Sequence, residues 1–557
     1  MNSHYSARNF RINKLGPFIG TLGRNITLWH NGLMSLEKIA IIDIGSNSMR
    51  LEIVSVRGDD FWTVARYKAA ARIASGMYPG LVITPEAIDR GCRALRYFSR
   101  WIALHQADSV RCVATSAVRD ALNQQEVVSR LTEALGRPIE ILHGDREGWY
   151  SYFGVRNGFD EPEALIFDIG GGSAELIDVH KGKPQKILTL PLGAVRLSEM
   201  FFSNRSRPTA SEWKKMESFI LKNLEDSGLF DKDYPTLIGV GGTTRQLARM
   251  SQKIRKYPFY PDIHHYEIAI RDLSKLFKRV GRRLTAEQAR TFNIGADRAD
   301  ILPAGLAVVA AIAHLSRAPG LTFSHYGLRQ GLFMEYFLKK KENEAGHKAE
   351  ESIRRIARRY GRYRDSRLLR QMIRNLVALL LPAQFQNRRI SVLSEAIGAF
   401  AFLPVSFSSF PNTREMWSLL LHGELPGFSQ KDRLITGLVL TLREDGTNKA
   451  KKRSHPYLRH LGNEDLKILK ILSQVSSLAV EIVCESEGQG ASFSYRTPVL
   501  HIVCPSSDLP EEHFSLTRTE ERDLGLGHPV SIQWFHEQKE STGEEDSGHE
   551  RNHSSLP

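Results

Sequence analysis

A six-residue phrase occurs twice in the chain, as Asp43-Ile44-Gly45-Ser46-Asn47-Ser48 and as Asp168-Ile169-Gly170-Gly171-Gly172-Ser173. Each copy follows an apolar run, residues 39–42 and 165–167, and is followed by spaced apolar positions (Met49, Leu51, Ile53; Ala174, Leu176). The pattern predicts strand, tight turn, strand in both places. Small residues in such a turn let consecutive amides converge on one concavity that suits phosphate oxygens, and the leading Asp sets a carboxylate where it can hold a hard cation. Two such turns facing one another would clamp a metal-phosphate group between the halves of a duplicated fold.

The 557 residues exceed what one core organises, so two to four domains are expected, and 41% hydrophobic with 25% charged residues is ordinary for a globular protein. Residues 35–156 alternate strands with helices (strands near 110–114 and 139–142, a helix over 85–104) and form a first α/β lobe. Residues 157–340 form a second, with a strand running into Gly239-Val240-Gly241-Gly242-Thr243-Thr244 and a long helix after Ser324-His325-Tyr326-Gly327-Leu328-Arg329. Residues 345–505 read as a mainly helical domain with basic faces, closing on a hairpin-like stretch at 491–503. The ends, 1–34 and 506–557, read as a disordered arm and a largely disordered tail; His549 and His553 in that tail are read as solvated rather than as metal ligands.

The net charge of +14 favours a polyanionic ligand. Zinc-finger spacing and interleaved aromatics are missing from the sequence, so nucleic acid is not the expected polyanion. No run approaches the ~18 apolar residues of a membrane span, and the expected location is the cytoplasm. Cys92, Cys112, Cys484 and Cys504 form no Cys-x-x-Cys pair and are read as reduced and structural.

Six ordered landmarks carry a resemblance over roughly residues 38–335. They are Ile42 to Ser48, Ala114-Thr115-Ser116-Ala117-Val118-Arg119, Gly144-Asp145-Arg146-Glu147-Gly148, Asp168 to Glu175, Leu192-Gly193-Ala194-Val195-Arg196-Leu197 and Gly239 to Thr244. On these the chain resembles the exopolyphosphatase and guanosine pentaphosphate phosphohydrolase (Ppx/GppA) family, within the actin-like, ribonuclease H-like and sugar-kinase superfamily. The resemblance implies α/β architecture with two actin-like lobes and a helical C-terminal domain of degenerate HD-like character. In the stretch from Leu420 to Gly427, Gly423 stands where the metal-binding Asp of His-Asp phosphohydrolases would be.

The resemblance further implies a Mg²⁺-dependent phosphoanhydride hydrolase. Glu147 is then the general base, with Asp168 and Glu175 beside it, and Asp43, Asp168 and Glu175 are the metal ligands. Gly45, Ser46, Asn47, Ser48, Arg119, Gly170, Gly171, Gly172 and Ser173 grip phosphate, while Arg50 and Arg196 are open between substrate contact and a salt-bridge role. Arg146 before Glu147 and Gly148-Trp149 after it depart from the family's usual acidic pair and Ala-Arg. The expected activity is exopolyphosphatase in a homodimer, with guanosine pentaphosphate 5′-phosphohydrolase as the alternative. A non-catalytic polyphosphate or alarmone sensor and a nucleotide-dependent kinase are readings of other classes.

Overall fold

In the computed structural model the described residues are 36–204, 208–280, 284–339, 348–359, 366–381, 386–401, 413–486, 491–504 and 514–537. The expected arm at 1–34 and the histidines His549 and His553 lie outside them. Both phrases form the turn that their pattern predicts. In lobe I, β1 (Glu37–Ile44), β2 (Met49–Arg57) and β3 (Asp60–Ala69) make an antiparallel meander, and β4 (Ser109–Ala114) and β5 (Glu140–Ile141) extend it in parallel from β1. The order is β3-β2-β1-β4-β5.

Lobe II repeats this plan. Strands β6 (Ala164–Ile169), β7 (Ala174–His180) and β8 (Lys183–Leu190) form the meander, β9 (Leu237–Val240) runs parallel to β6, and β10 (Tyr266–Ala269) adds an antiparallel edge to β11 (Gly320–Phe323). Its order, β10-β11-β9-β6-β7-β8, contains the lobe I order with one strand added, which gives two actin-like lobes. Strand β1 is apolar without alternation because both its faces are covered. Ala40, Ile42 and Ile44 pack with helix Pro85–Leu104, while Ile39 and Ile41 face helix Leu328–Lys339. Helix Pro85–Leu104 starts where its sequence requires: the Thr84 side chain accepts from the Ala87 amide and Pro85 occupies the first turn.

Two expectations need correction. Helix Leu328–Lys339, assigned by sequence to lobe II, packs on lobe I: Leu328, Leu332, Phe333 and Phe337 share a core with Ile39, Val54, Phe61 and Tyr150. It meets helix Gly144–Arg156 backbone to backbone, since a Cβ on Gly154 would lie 2.2 Å from the Gly327 carbonyl oxygen and one on Gly331 would lie 2.0 Å from that of Tyr150. The tail is also more ordered than its polarity suggests. Strands β14 (Phe514–Arg522) and β15 (Val530–Glu537) join the hairpin β12 (Ser492–Arg496) and β13 (Val499–Cys504) in a sheet of order β12-β13-β15-β14. Val530, Ile532 and Trp534 alternate into the core of the helical domain, a period-two signal over a stretch that is otherwise polar.

The helical domain (helices Lys348–Arg359, Arg367–Leu380, Arg388–Phe400, Thr413–His422, Gln430–Leu458 and Asn463–Glu485) rests on both lobes. Arg359 forks onto Asp60 of lobe I at 2.7 and 3.1 Å, and Arg433 reaches Asp262 of lobe II at 3.1 Å. All four cysteines are free thiols. No helix among the described residues is long and apolar enough to cross a membrane. Trp534 is 1% exposed, so Trp534→Ala should cost about 3–5 kcal/mol in chemical denaturation of the helical domain. An unchanged midpoint would mean that the tail strands carry no load.

Candidate active site

The two turns face each other across a cleft of about 1050 Å³, counting its open mouth. Gly45, Ser46, Asn47, Ser48, Gly170, Gly171 and Ser173 line it together with Asp43, Asp168, Glu147 and Glu175. The turns are braced through their carbonyls: Ser46 O accepts from the Ala74 amide, Asn47 O from Arg72, Gly170 O from Ala194, and Gly171 O from Val195 and Arg196. The amides of Ser46, Asn47 and Gly171, all of them cleft residues, find no acceptor among the described residues, which leaves donors for phosphate oxygens. Asn47 crosses between lobes, its Nδ2 donating to the Asp297 carbonyl at 3.1 Å, and its buried Oδ1 has no partner among the described residues.

Glu147 sits in the first turn of helix Gly144–Arg156 and is 9% exposed. Arg119 does not line the cleft; its guanidinium donates to Glu147 Oε2 at 2.8 Å and to the Leu142 carbonyl at 3.1 Å, so it holds the carboxylate from behind. One turn along the same helix, Ser151 Oγ donates to Asp168 Oδ2 at 3.1 Å, which ties the second Asp to the element that carries Glu147. Glu175, 1% exposed, accepts from Ser173 Oγ at 2.6 Å. Gly172 faces away, toward Ser116 and Tyr78. Arg196 donates through Nε to the Gly172 carbonyl at 2.7 Å, pairs with Asp120 and covers the Tyr78 ring, which makes it part of the brace.

Burial raises four of the cleft carboxylates, Glu147, Glu175, Asp43 and Asp168, whereas Glu52, facing Arg329 and Arg66, is lowered despite its burial. It pushes Glu147 up to about 7 against the opposing pull of Arg119, with repulsion from Asp168 and Asp43 adding to the rise. Burial and then repulsion from Glu147 raise Glu175 well above the usual range. Asp43 and Asp168 are also raised by burial, Asp43 despite Arg329 and Arg50. Among the described residues no three His, Cys, Asp or Glu side chains stand close enough to form an ion cage, so Glu175 does not complete a three-carboxylate set with Asp43 and Asp168. Two carboxylates with free coordination positions filled by water and phosphate are what Mg²⁺ ordinarily uses, and Asp43 and Asp168 meet that requirement.

Beyond Arg50, which it left open between substrate contact and a salt bridge, sequence reasoning missed the arginines of the site. Arg66, Arg245, Arg298 and Arg329 line the cleft beside Arg50, and with Arg249 they continue into an adjoining space of about 960 Å³. The guanidiniums of Arg50, Arg245 and Arg298 have no hydrogen bond or ion pair among the described residues, and Arg245 Nε is buried. Burial and then repulsion from Arg329 lower Arg50 to about 10, and burial with repulsion from Arg50 lowers Arg245 well below its ordinary value. Arg245 follows the Gly-Gly-Thr-Thr loop directly, the one local signal available. Arg298, by contrast, is brought in from the short helix Ala296–Ala299.

A family model described as the Ppx/GppA phosphatase family matches residues 52–340. The chain belongs to the Ppx/GppA phosphatase family. Among solved structures, an exopolyphosphatase from Cytophaga hutchinsonii is 24% identical with a TM-score of 0.51, covering 54% of this chain and 97% of that one. A Ppx/GppA family member from Aquifex aeolicus is 26% identical with a TM-score of 0.47, covering 56% of this chain and 100% of that one. Of these, the likeness to the Cytophaga structure supports the shared fold.

In this Ppx/GppA protein the folded state binds the Glu147 proton more tightly than the unfolded chain, where the group titrates near 4.5. Stability therefore falls as pH rises from about 4.5 to about 7, and the loss persists above. Glu147→Gln should raise unfolding free energy at pH 8 by on the order of 2 kcal/mol and change it little at pH 4. Denaturation at the two pH values checks this.

Proposed function

We propose that the protein is a Mg²⁺-dependent exopolyphosphatase, releasing terminal orthophosphate from inorganic polyphosphate. The observation that carries this reading is the polarity of the cleft: carboxylates and free amides at one end, and half-buried guanidiniums without an ion pair among the described residues leading away from them. A phosphate chain with its terminal unit at the turns would meet cations along its body.

Glu147, held behind by Arg119, takes a proton from water as the water oxygen attacks the terminal phosphorus. The bond from phosphorus to the bridging oxygen breaks, and the charge gathering on the shortened chain is met by Arg50, Arg298 and Arg245. Glu147 then returns its proton to solvent. Asp43 and Asp168 would hold Mg²⁺, which supplies positive charge to the phosphoryl oxygens. Arg298 lies against Gly242, where a Cβ would be 2.3 Å from its Nη1, with Arg245 nearby. Guanidiniums thus fill the side of the cleft where a kinase of this superfamily would need a nucleoside pocket.

Orthophosphate release with Mg²⁺, from long-chain polyphosphate against guanosine pentaphosphate at matched chain ends, is the deciding assay. Glu147→Gln should keep binding and lose at least about two orders of magnitude in rate. Release from the guanosine compound alone would replace the polyphosphate assignment, and binding without release from either would favour a sensor. The rate should rise through pH about 7, where Glu147 loses its proton, and level off above. Because Arg119 holds that value down, Arg119→Gln should move the rise to higher pH.

A further inference from the structure

The stretch from Leu420 to Gly427 carries an acidic residue to the edge of the cleft. Glu424 lies on the loop between helices Thr413–His422 and Gln430–Leu458, with its Oε1 2.5 Å from an Nη of Arg66 and 3.2 Å from Thr63 Oγ1. Arg66 belongs to β3 and lines both the catalytic cleft and the arginine-lined space beyond it. Its Nε donates to Glu52 at 3.0 Å, and Glu52 also faces Arg329 at 3.6 Å. The result is an alternating row, Glu424, Arg66, Glu52, Arg329, from the helical domain into the cleft.

The loop is built to present Glu424. Leu425 is fully buried in the helical core, the Pro426 carbonyl accepts from Ser352 Oγ at 2.7 Å, and Gly427 has φ +82°, where a Cβ would lie 2.6 Å from the Ala349 amide nitrogen. Glu424 itself remains exposed, the acidic tip of a pinned turn. Glu52 is shared by Arg66 and Arg329, and Thr63 has one hydroxyl proton for two carboxylates. Glu424 thus balances a charge that Glu52 cannot balance alone.

We propose that Glu424 is a specificity-determining residue, a resident anion that holds Arg66 until a phosphate chain long enough to reach it takes its place. The inference rests on the polyphosphate reading of the cleft. An anion confined to the turns never meets this competitor, whereas a long chain must displace it. Glu424 therefore weakens the grip on long chains and keeps them releasable, and its displacement transmits cleft occupancy to the helical domain.

Equilibrium binding of pyrophosphate and of long-chain polyphosphate to the full-length Glu147→Gln protein tests this, alone and with Glu424→Gln, Arg66→Gln or both. Glu424→Gln should tighten long-chain binding about three- to tenfold and leave pyrophosphate unchanged. The gain should vanish when Arg66→Gln is also present. Long-chain affinity that is unchanged or weaker in Glu424→Gln would make the residue a strut and overturn the proposal. A gain that survives without Arg66 would overturn it too, because net charge alone would then suffice. If the parent protein binds neither phosphate, the reading of the cleft fails first, and that result is distinct from a failure of Glu424.

Discussion

The rest of the structure depends on holding three guanidiniums, Arg50, Arg245 and Arg298, in a cleft where none has an ion pair among the described residues. An unpaired buried charge is destabilising by several kcal/mol unless surrounding structure prevents its escape or a ligand compensates it. Arg50, Arg245 and Arg298 come from β2, from helix Gly241–Ile254 and from the short helix Ala296–Ala299. Arg50 and Arg245 are rooted in elements whose neighbouring residues are buried, which holds their backbones at the cleft. The carboxylates opposite are strained in the complementary sense, raised by burial and mutual repulsion. The cation and polyanion of the proposed function would relieve both at once.

The helical domain belongs to this balance. Arg359 on Asp60 and Arg433 on Asp262 fix it to lobe I and lobe II, so it spans the two halves whose separation defines the cleft. Arg433 is 1% exposed, and its partner Asp262 also accepts the Gln430 side chain through its carbonyl. Such buried attachments resist sliding in a way that exposed pairs such as Lys470 with Asp523 do not.

Much of the fold was legible because it is local. The turns at Gly45 and Gly170, the apolar runs before them and helix Pro85–Leu104 follow from residues adjacent in sequence. What failed was nonlocal or weakly patterned. Helix Leu328–Lys339 has the same apolar stripe whichever lobe it covers, and only its glycine-to-glycine approach to helix Gly144–Arg156 decides the matter. In the tail, the buried Val530, Ile532 and Trp534 were outweighed by their polar neighbours. Asp43, Asp168 and Glu175 sit on or beside the repeated phrase, whereas Arg66, Arg298 and Arg329 reach the cleft from separate elements and share no motif. Arg119, read as a grip on phosphate, instead grips Glu147.

The repeat also concealed an asymmetry. Strand register pairs Asp43 with Arg50 across the first turn and Asp168 with Glu175 across the second. The eighth position after each leading Asp, counting that Asp as the first, is therefore equivalent in space, yet it carries a guanidinium in lobe I and a carboxylate in lobe II. A symmetric clamp with carboxylates at both places would repel a phosphate chain from each side. One with guanidiniums at both would set a second positive charge beside Asp168 and weaken the acidic end formed by Asp43, Asp168 and Glu147. Opposite charges at equivalent positions give the cleft a direction, so a chain that enters it has a preferred end at the turns. On the proposed function, chemistry confined to a terminal phosphate would follow from that direction more than from the shape of either lobe.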